Sequence, residues 1–318
     1  MKAAIVQGAG QAPVYGDFAD PEPAAGEAII TVAAAPLTHV TRARAAGTHY
    51  TGAGQFPFVA GMDGVGALAD GSRVYFVMPR APYGGMAERT VARPVQCVPI
   101  PDGLDDVTAA AIANPGVSSW AALTERGKLK AGETVLVNGA TGIAGRLAVQ
   151  IAKHLGAGKV IATGRSEEAL RHVAELGADV TIPLGGDEAA LDKAFEAQVA
   201  DGVGVVIDYL WGKSAERMLA AAARTNPPAA PLRFVQVGSV TGADITLPSA
   251  LLRSAAIELM GSGLGSVAPG RLTAAIASLF AAAPAAGFKI ATRTVPLSDV
   301  TATWSADDSR RRIVFTVA

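Results

Sequence analysis

The sequence is poor in cysteine and in charge. Its 318 residues include 1 Cys and 4 His, and 17% are Asp, Glu, Lys or Arg, against roughly 25% in an average domain. A single cysteine excludes an internal disulfide framework and a zinc site built from several thiolates. With 27 basic and 28 acidic residues the net charge is −1. The sequence contains no Lys/Arg-rich block of the kind that would predict a nucleic-acid partner.

Long apolar runs are also missing. The most apolar stretch, Leu272 to Ala286, is mostly alanine and contains Pro284, whereas a membrane-spanning helix needs about 18 or more unbroken apolar residues. The first ten residues favour a short strand, because Gly8 and Gly10 interrupt the run that a secretion signal requires. We therefore expect a soluble, cytoplasmic protein without a membrane partner.

The first third of the chain favours short strands. Runs of β-branched residues separated by Gly- and Pro-rich turns predict an irregular, mostly β domain. From Asp105 the composition favours helices. The expected strands are Ala28 to Ala33, Val59 to Leu68, Arg73 to Met78 and Glu88 to Ala92, and the expected helices are Asp105 to Ala113 and, after Pro115, Ser118 to Arg126.

The middle of the chain alternates strands with helices, which predicts an α/β fold with a doubly wound parallel sheet. Because a single core rarely exceeds about 250–300 residues, we expect two domains: a Rossmann domain over 114–266 and a second domain over 1–113 and 267–318. The expected strands are Thr134 to Asn138, Lys159 to Thr163, Val180 to Pro183, Val203 to Asp208, Arg233 to Val237 and Ile257 to Met260.

A glycine-rich turn follows the first of these strands. The segment from Asn138 to Gly145 reads NGATGIAG and contains A-x-G-x-x-G, a variant of the dinucleotide fingerprint in the strand–turn–helix context that it requires. A glycine at 142 lets a pyrophosphate approach the helix N-terminus, and Gly145 lets the helix lie close to the strand. An ordinary tight turn is the alternative. The predicted cofactor contacts in this turn are Gly139, Ala140, Thr141, Gly142, Ile143 and Ala144.

The end of the second strand distinguishes NADPH from NADH. An NAD site places an Asp or Glu about 20 residues after the glycine turn. In this chain the strand ends in Thr163-Gly164-Arg165 without a carboxylate, and an arginine suits a 2′-phosphate. We predict NADPH as the cofactor, with Gly164 and Arg165 in its site. The alternative is a solvated Arg165 that pairs with Glu167 or Glu168.

Other cofactor candidates follow from the same geometry, because ligands of open α/β sheets bind at the carboxyl ends of the strands. Tyr209 and Trp211 at one strand end could also shape an apolar pocket for a flat substrate. The run Arg310-Arg311-Arg312 is either a solvated face or a contact to the 2′-phosphate or a second subunit. The candidates are Asn114, Ser118, Tyr209, Gly238, Ser239, Gly261 and Ser262.

Four segments carry a resemblance to a known family: Gly61 to Gly66 (GMDGVG), Gly84 to Glu88 (GGMAE), Pro115 to Leu123 (PGVSSWAAL) and Val135 to Ala157 (VLVNGATGIAGRLAVQIAKHLGA). With them the chain resembles, over nearly its whole length, the medium-chain dehydrogenase/reductase superfamily. Within it, the chain looks like the zinc-independent, zeta-crystallin-like quinone oxidoreductases. The resemblance implies a GroES-like catalytic domain beside the Rossmann domain, a small-molecule substrate next to the nicotinamide, and a homodimer.

The resemblance also implies that no metal is bound. Thr38 stands where the zinc-dependent members carry a catalytic Cys, and in Gly61-Met62-Asp63 a Met replaces their His. The lobe that holds structural zinc with four cysteines is absent. One conceivable ligand set remains, His39, His49, Asp63 and Cys97, but its spacing matches no known zinc pattern.

Without a metal, the feasible reaction is hydride transfer to an acceptor that is already electrophilic, a quinone or a C=C bond conjugated to a carbonyl. The predicted catalytic residues are Thr38, Tyr50 and Asp63. Thr38 stands where the branch commonly has Asn. Tyr50 and Tyr83 could each donate to a carbonyl oxygen; alternatively, Tyr50 packs against Phe56 or Phe58, and Tyr83 is a turn residue before Gly84-Gly85. The alternatives are a pathway-specific enoyl or imine reductase and a non-catalytic NADPH-binding redox sensor.

Overall fold

The structure, a computed structural model, describes residues 1–49, 55–227, 231–307 and 309–317. The chain divides into two compact units, Met1–Asn114 with Ile276–Ala318, and Pro115–Ala275. They correspond to the expected catalytic and Rossmann domains and are called the catalytic unit and the dinucleotide unit. Among the described residues, no helix combines the length and the apolar character that crossing a membrane requires.

The strands are numbered in chain order. They are β1 (Lys2–Val6), β2 (Val14–Asp17), β3 (Ala28–Pro36), β4 (Phe58–Val59), β5 (Asp63–Ala67), β6 (Arg73–Val77), β7 (Arg89–Ala92), β8 (Cys97–Pro99), β9 (Thr134–Asn138), β10 (Lys159–Gly164), β11 (Val180–Pro183), β12 (Val203–Asp208), β13 (Leu232–Gln236), β14 (Ile257–Gly261), β15 (Thr292–Pro296) and β16 (Arg312–Thr316).

The helices are numbered in the same way. They are α1 (His39–Ala45), α2 (Asp106–Ala121), α3 (Ile143–His154), α4 (Glu167–Glu175), α5 (Glu188–Ala200), α6 (Gly212–Thr225), α7 (Leu251–Ser254), α8 (Pro269–Ala286) and α9 (Val300–Thr303), with 3₁₀ turns at Pro94–Gln96 and Leu297–Asp299 and a π-helical turn at Ala122–Arg126.

The dinucleotide unit contains the predicted parallel sheet. Its strands lie in the order β11-β10-β9-β12-β13-β14, and each neighbouring pair is parallel. Leu136, Ile161 and Phe234 are fully buried within one core cluster of this unit, which explains why its strands are continuous apolar runs. The direction of winding reverses between β9 and β12, and such a switch point is where ligands of this architecture bind.

The catalytic unit is mostly β. One sheet has the order β2-β1-β4, and a larger one has the order β15-β16-β3-β5-β6-β8, with β7 also paired to β3. The C-terminal segment completes the core of this unit, because Trp304 and Phe315 belong to the same buried cluster as Ala4 and Leu37. Residues that are far apart in the sequence therefore stabilise one core.

Two expected elements differ from the structure. The strand expected from Val59 to Leu68 is broken into β4 and β5, because Gly61 has a φ of +95° and a Cβ there would lie 2.7 Å from the Met86 nitrogen. The helix break expected at Pro115 is wrong, because α2 continues through it. Its buried alanine face packs in the core, and such packing offsets the loss of one helical hydrogen bond at a proline.

Candidate cofactor and substrate sites

The glycine turn after β9 is held by backbone hydrogen bonds to the neighbouring strand. The Gly139 N–H donates to Thr163 Oγ1 at 3.1 Å, and the Ala140 N–H donates to the Thr163 carbonyl at 2.8 Å. Gly139 has a φ of +90°, and a Cβ there would lie 2.8 Å from Leu210 Cγ. The residue that needs the left-handed conformation is therefore Gly139, one position before the alanine with which the fingerprint begins.

Gly142 differs from the other glycines around this turn. A Cβ on Gly145 would lie 2.3 Å from the Gly139 oxygen, and one on Gly164 would lie 2.3 Å from Thr141 Cγ2. On Gly142 it would meet nothing nearer than the Gly139 oxygen at 3.9 Å. Packing thus requires glycine at 145 and 164 but not at 142, where open space adjoins the start of α3.

This open space fits the pyrophosphate of a dinucleotide. Gly142 is the N-cap of α3 and offers no side-chain cap, and the first N–H groups of any helix lack intrahelical acceptors. Ile143 and Ala144 form the first turn of α3. They present these N–H groups where a phosphate would bind them.

The predicted 2′-phosphate contact is exposed. β10 ends at Gly164, and Arg165 follows it on the surface. Within the described part of the chain, Arg165 forms no ion pair with Glu167 or Glu168, so the pairing considered from the sequence is not observed. Its guanidinium is available for an anion at the tip of the second strand.

A buried polar network joins the ends of three strands. Asn138 Nδ2 donates to Asp208 Oδ1 at 2.8 Å and to Ser214 Oγ at 2.9 Å, and Thr163 Oγ1 donates to Asn138 Oδ1 at 2.6 Å. Asn138, Thr163 and Asp208 are fully buried. The Asn138–Asp208 bond spans β9 and β12, the two strands of the switch point. Sequence reasoning missed this network, although polar residues ending apolar strands were a usable signal.

Asp208 also holds the segment that follows β12. Its carboxylate accepts the Leu210 N–H at 2.9 Å and the Trp211 N–H at 3.1 Å, and burial raises the pKa of this carboxyl. Trp211 has a φ of +61°, a conformation that bulky residues rarely adopt. The Leu210 side chain packs against Gly139, so Asp208 fixes the neighbour of the glycine turn.

Tyr209 points into the unit. Its side chain is buried, and its hydroxyl lies 2.8 Å from Ser119 Oγ. Burial raises the pKa of Tyr209 to about 12. Ser118 Oγ donates to the Pro115 carbonyl at 2.8 Å, and Asn114 is half-buried in α2. The hydroxyls of Tyr209 and Ser118 are thus engaged within the protein.

The remaining cofactor candidates lie at the ends of β13 and β14. Gly238 packs against the backbone just after β12, since a Cβ there would lie 2.8 Å from the Tyr209 oxygen. The Ser262 N–H donates to the Gln236 carbonyl at 2.8 Å. Ser239 and Gly261 are exposed and line a cavity of about 380 Å³ together with Trp211. The structure therefore brings these candidates to the carboxyl edge of the sheet.

In the catalytic unit, Thr38 is the N-cap of α1. Its Oγ1 accepts the Thr41 N–H at 3.1 Å and lies 2.9 Å from Thr41 Oγ1. Both side chains are buried. The Thr38 hydroxyl therefore has a structural role at the start of the helix.

Asp63 is completely buried beside Tyr75 and Arg312. The Tyr75 hydroxyl donates to Asp63 Oδ2 at 2.9 Å. Desolvation raises the pKa of Asp63 to about 7, although the Tyr75 hydrogen bond and the Arg312 charge oppose it. Arg312 Nη1 donates to the Leu37 carbonyl at 2.8 Å. A carboxylate without exposed surface offers no contact to a substrate, so its burial does not support the catalytic role predicted for Asp63.

The other aromatic and basic candidates are distributed as follows. Tyr50 lies outside the described residues. Tyr83 OH donates to the Asp20 carbonyl at 3.3 Å. Of the basic run at the C-terminus, Arg310 and Arg311 are exposed whereas Arg312 is buried, so Arg312 belongs neither to a solvated face nor to a phosphate site.

A cavity of about 530 Å³ lies within the catalytic unit. Thr41, Arg44, Phe56, Met62 and Met78 are among its lining residues. Met62 is the residue that, by the family resemblance, replaces a zinc-ligand His. Sequence reasoning did not single out Arg44, because burial within a cavity is not visible in a pattern of residue types.

The four residues considered as zinc ligands from the sequence, His39, His49, Asp63 and Cys97, are not brought together in the described part of the chain. Across residues 1–49, 55–227, 231–307 and 309–317, no three His, Cys, Asp or Glu side chains come together as a metal site. Cys97 is half-buried, and burial raises its thiol pKa.

Comparison with known proteins identifies the family. Residues 144–281 match the model of the zinc-binding dehydrogenase domain. The probable NADPH-dependent quinone reductase tdiC of Emericella nidulans is 32% identical over 94% of this chain and 94% of its own length. The chain belongs to the medium-chain dehydrogenase/reductase family. It falls in the quinone oxidoreductase-like branch of that family, as the sequence motifs predicted.

Other family members support the fold and the branch. The quinone oxidoreductase of Thermus thermophilus, solved alone and with NADPH, has a TM-score of 0.82 and 25% identity over 99% of this chain and 100% of its own. The trans-enoyl reductase pgmF of Aspergillus terreus is 32% identical over 50% of this chain and 42% of its own length. The predicted α/β architecture, a Rossmann sheet with a mostly β catalytic domain, is confirmed.

Proposed function

We propose that this family member transfers the hydride of NADPH to a quinone or to a C=C bond conjugated to a carbonyl, without a metal. The chain is an NADPH-dependent oxidoreductase. The observation that supports its cofactor site best is the turn at Gly142, where the protein itself does not need a glycine and α3 begins. The full-length similarity to a quinone reductase supports the acceptor class.

The residues of this chain bind and orient the cofactor. The N-terminus of α3 holds the pyrophosphate with its N–H groups and its positive dipole end. Arg165 pairs with the 2′-phosphate that distinguishes NADPH from NADH. Ser239 and Gly261, which line the cavity at the ends of β13 and β14, would contact the remainder of the dinucleotide. The bound NADPH supplies the hydride, while the protein supplies position and electrostatics.

A metal-free site limits the acceptor. By the family resemblance, Thr38 and Met62 stand where zinc-dependent members carry a Cys and a His ligand. A buried hydroxyl and a buried thioether are not the thiolate and imidazole that hold Zn²⁺, the Lewis acid that would stabilise an alkoxide. Quinones and enones need no such acid, because hydride transfer gives a hydroquinone anion or an enolate that takes a proton from water. Stoichiometric zinc in the purified protein would contradict this assignment.

An enoyl thioester is the second candidate acceptor. The similarity to pgmF, a trans-enoyl reductase, favours it. A non-catalytic redox sensor remains an outcome of the test, since fold alone does not determine function.

Oxidation of NADPH and NADH is measured with 1,4-naphthoquinone, an enal and an enoyl thioester. We expect oxidation of NADPH in preference to NADH, faster with the quinone than with the thioester, and insensitive to a chelator. Tight NADPH binding without oxidation by any acceptor would contradict an enzyme and favour the sensor.

A homodimer belongs to the proposal as well. β14 lies at the edge of the parallel sheet, with β13 as its one neighbour. Such an edge offers backbone groups for pairing with a second copy. Sedimentation equilibrium measures the mass directly, and a monomer at micromolar concentration would contradict the dimer.

A further inference from the structure

The cavity of the catalytic unit has exposed apolar walls. Its volume of about 530 Å³ lies within the roughly 300–1,000 Å³ that small-molecule sites occupy. Phe56 and Phe58 lie with their ring centroids 5.4 Å apart. Phe56 is 37% exposed and Met78 is 43% exposed. Large apolar side chains grouped on one concave surface gain free energy when an apolar ligand covers them.

The backbone holds Met78 in this wall. Met78 has a φ of +53°, its N–H donates to the Met62 carbonyl at 2.7 Å, and its own carbonyl accepts from the Gln96 amide. A bulky residue in the left-handed region is costly, and such residues cluster at ligand sites. The hydrogen bonds on both sides of Met78 therefore stabilise this unfavourable backbone conformation and keep the Met78 side chain in the cavity wall.

Arg44 is the one charged residue among the described residues that line this cavity. Arg44 lies in α1 and is half-buried, and burial lowers its pKa, although an arginine keeps its charge in proteins. Burial and the Arg44 charge also lower the pKa of the neighbouring His49.

We propose that this cavity binds a planar, apolar acceptor that carries an acidic oxygen group, a carboxylate or an ionised hydroxyl. The ring of Phe56 and the side chain of Met78 cover its apolar body, and Arg44 binds the anion. A partly desolvated guanidinium gains a strong, charge-assisted hydrogen bond from such a ligand. The inference rests on the proposed function in one respect, that the ligand is the hydride acceptor.

Binding is tested first, without cofactor. Titration calorimetry compares 2-naphthoate with the neutral 2-naphthalenemethanol, which has the same ring system. We expect wild type to bind the acid on the order of 10-fold more tightly than the alcohol. Arg44→Gln should abolish this preference, and Arg44→Lys should retain part of it. Arg293→Gln, which removes an exposed arginine of the same unit, should leave it intact.

Turnover is tested second, with NADPH and the pair cinnamaldehyde and 4-carboxycinnamaldehyde, which present the same C=C bond. We expect a KM about 10-fold lower for the carboxylated enal, lost in Arg44→Gln. Equal affinity of wild type for the two naphthalenes, or a preference that survives in Arg44→Gln, overturns the proposal. A preference that depends on Arg44 without reduction of any acceptor supports the site and contradicts the proposed function.

Discussion

The Tyr75 hydroxyl donates a 2.9 Å hydrogen bond to Asp63 Oδ2, and both side chains are buried, 1% and 0% exposed. Because desolvation raises the pKa of Asp63 to about 7 in the folded protein, from about 3.9 in an unfolded chain, the folded state binds more protons between these values. The contribution of Asp63 to stability is thus complete below about pH 4 and is lost as the pH rises through about 7.

Asp63→Asn should remove this pH dependence. The amide cannot ionise, so the melting temperature of the variant relative to wild type should increase between pH 5 and pH 8. Differential scanning calorimetry at four pH values measures this difference. The control is Asp70→Asn. Asp70 is an exposed carboxylate whose pKa is lowered by the Ser72 backbone N–H, so its replacement should not show the same increase in melting temperature. A difference that is constant with pH would show that Asp63 does not titrate in this range.

Arg165→Ala should raise the KM for NADPH and leave the KM for NADH nearly unchanged. Losing one charge-assisted contact to the 2′-phosphate corresponds to roughly 10-fold or more in KM. Initial rates with both cofactors provide the test. The matched control is Arg171→Ala, which removes an exposed arginine of α4 and should leave both KM values unchanged. Equal losses for both cofactors would mean that Arg165 does not recognise the 2′-phosphate.

Much of the fold could be predicted from the sequence because its physical causes are local. Strands such as β9, β10 and β12 are buried on both faces and are therefore continuous apolar runs. The absence of an Asp or Glu at Gly164 and Arg165, the feature that predicts NADPH over NADH, can be read directly from the sequence. Pro115 was misleading, because a proline predicts a helix end from local geometry, whereas the packing of α2 comes from residues elsewhere in the chain.

The candidate site was harder to predict, since burial decides what a side chain does. Thr38 and Asp63 carry suitable groups, yet one caps α1 and the other is enclosed with Tyr75. Arg44 sits in a helix and looks like a surface residue in the sequence. Its position in a cavity wall depends on Met62 and Met78, which lie on other segments.

Asp208→Asn should weaken NADPH binding by disturbing the segment after β12. The carboxylate accepts from the Leu210 and Trp211 backbone and from Asn138, and an amide nitrogen placed there cannot accept. We expect a loss of about 1–3 kcal/mol in the free energy of unfolding. The KM for NADPH should rise while kcat changes less, since Asp208 acts on position. Urea unfolding and initial rates measure the two effects.

The control for this variant is Asp201→Asn. Asp201 is 67% exposed and pairs with Lys159 at 2.9 Å, an arrangement worth about 0–1 kcal/mol at a surface. An unchanged KM in Asp208→Asn at normal stability would contradict a positioning role.

Two glycine substitutions separate ligand binding from folding. In Gly142→Ala the added Cβ meets nothing of the protein nearer than 3.9 Å, so the free energy of unfolding should fall by no more than about 1 kcal/mol, the cost of an alanine N-cap. With the pyrophosphate bound as proposed, the methyl group would occupy part of its space, and the Kd for NADPH should rise by an order of magnitude or more. In Gly145→Ala the Cβ would lie 2.3 Å from the Gly139 oxygen, and overpacking should cost about 1–3 kcal/mol. Chemical denaturation and fluorescence titration with NADPH measure both variants, and unchanged NADPH affinity in a folded Gly142→Ala protein would show that the cofactor does not approach this turn.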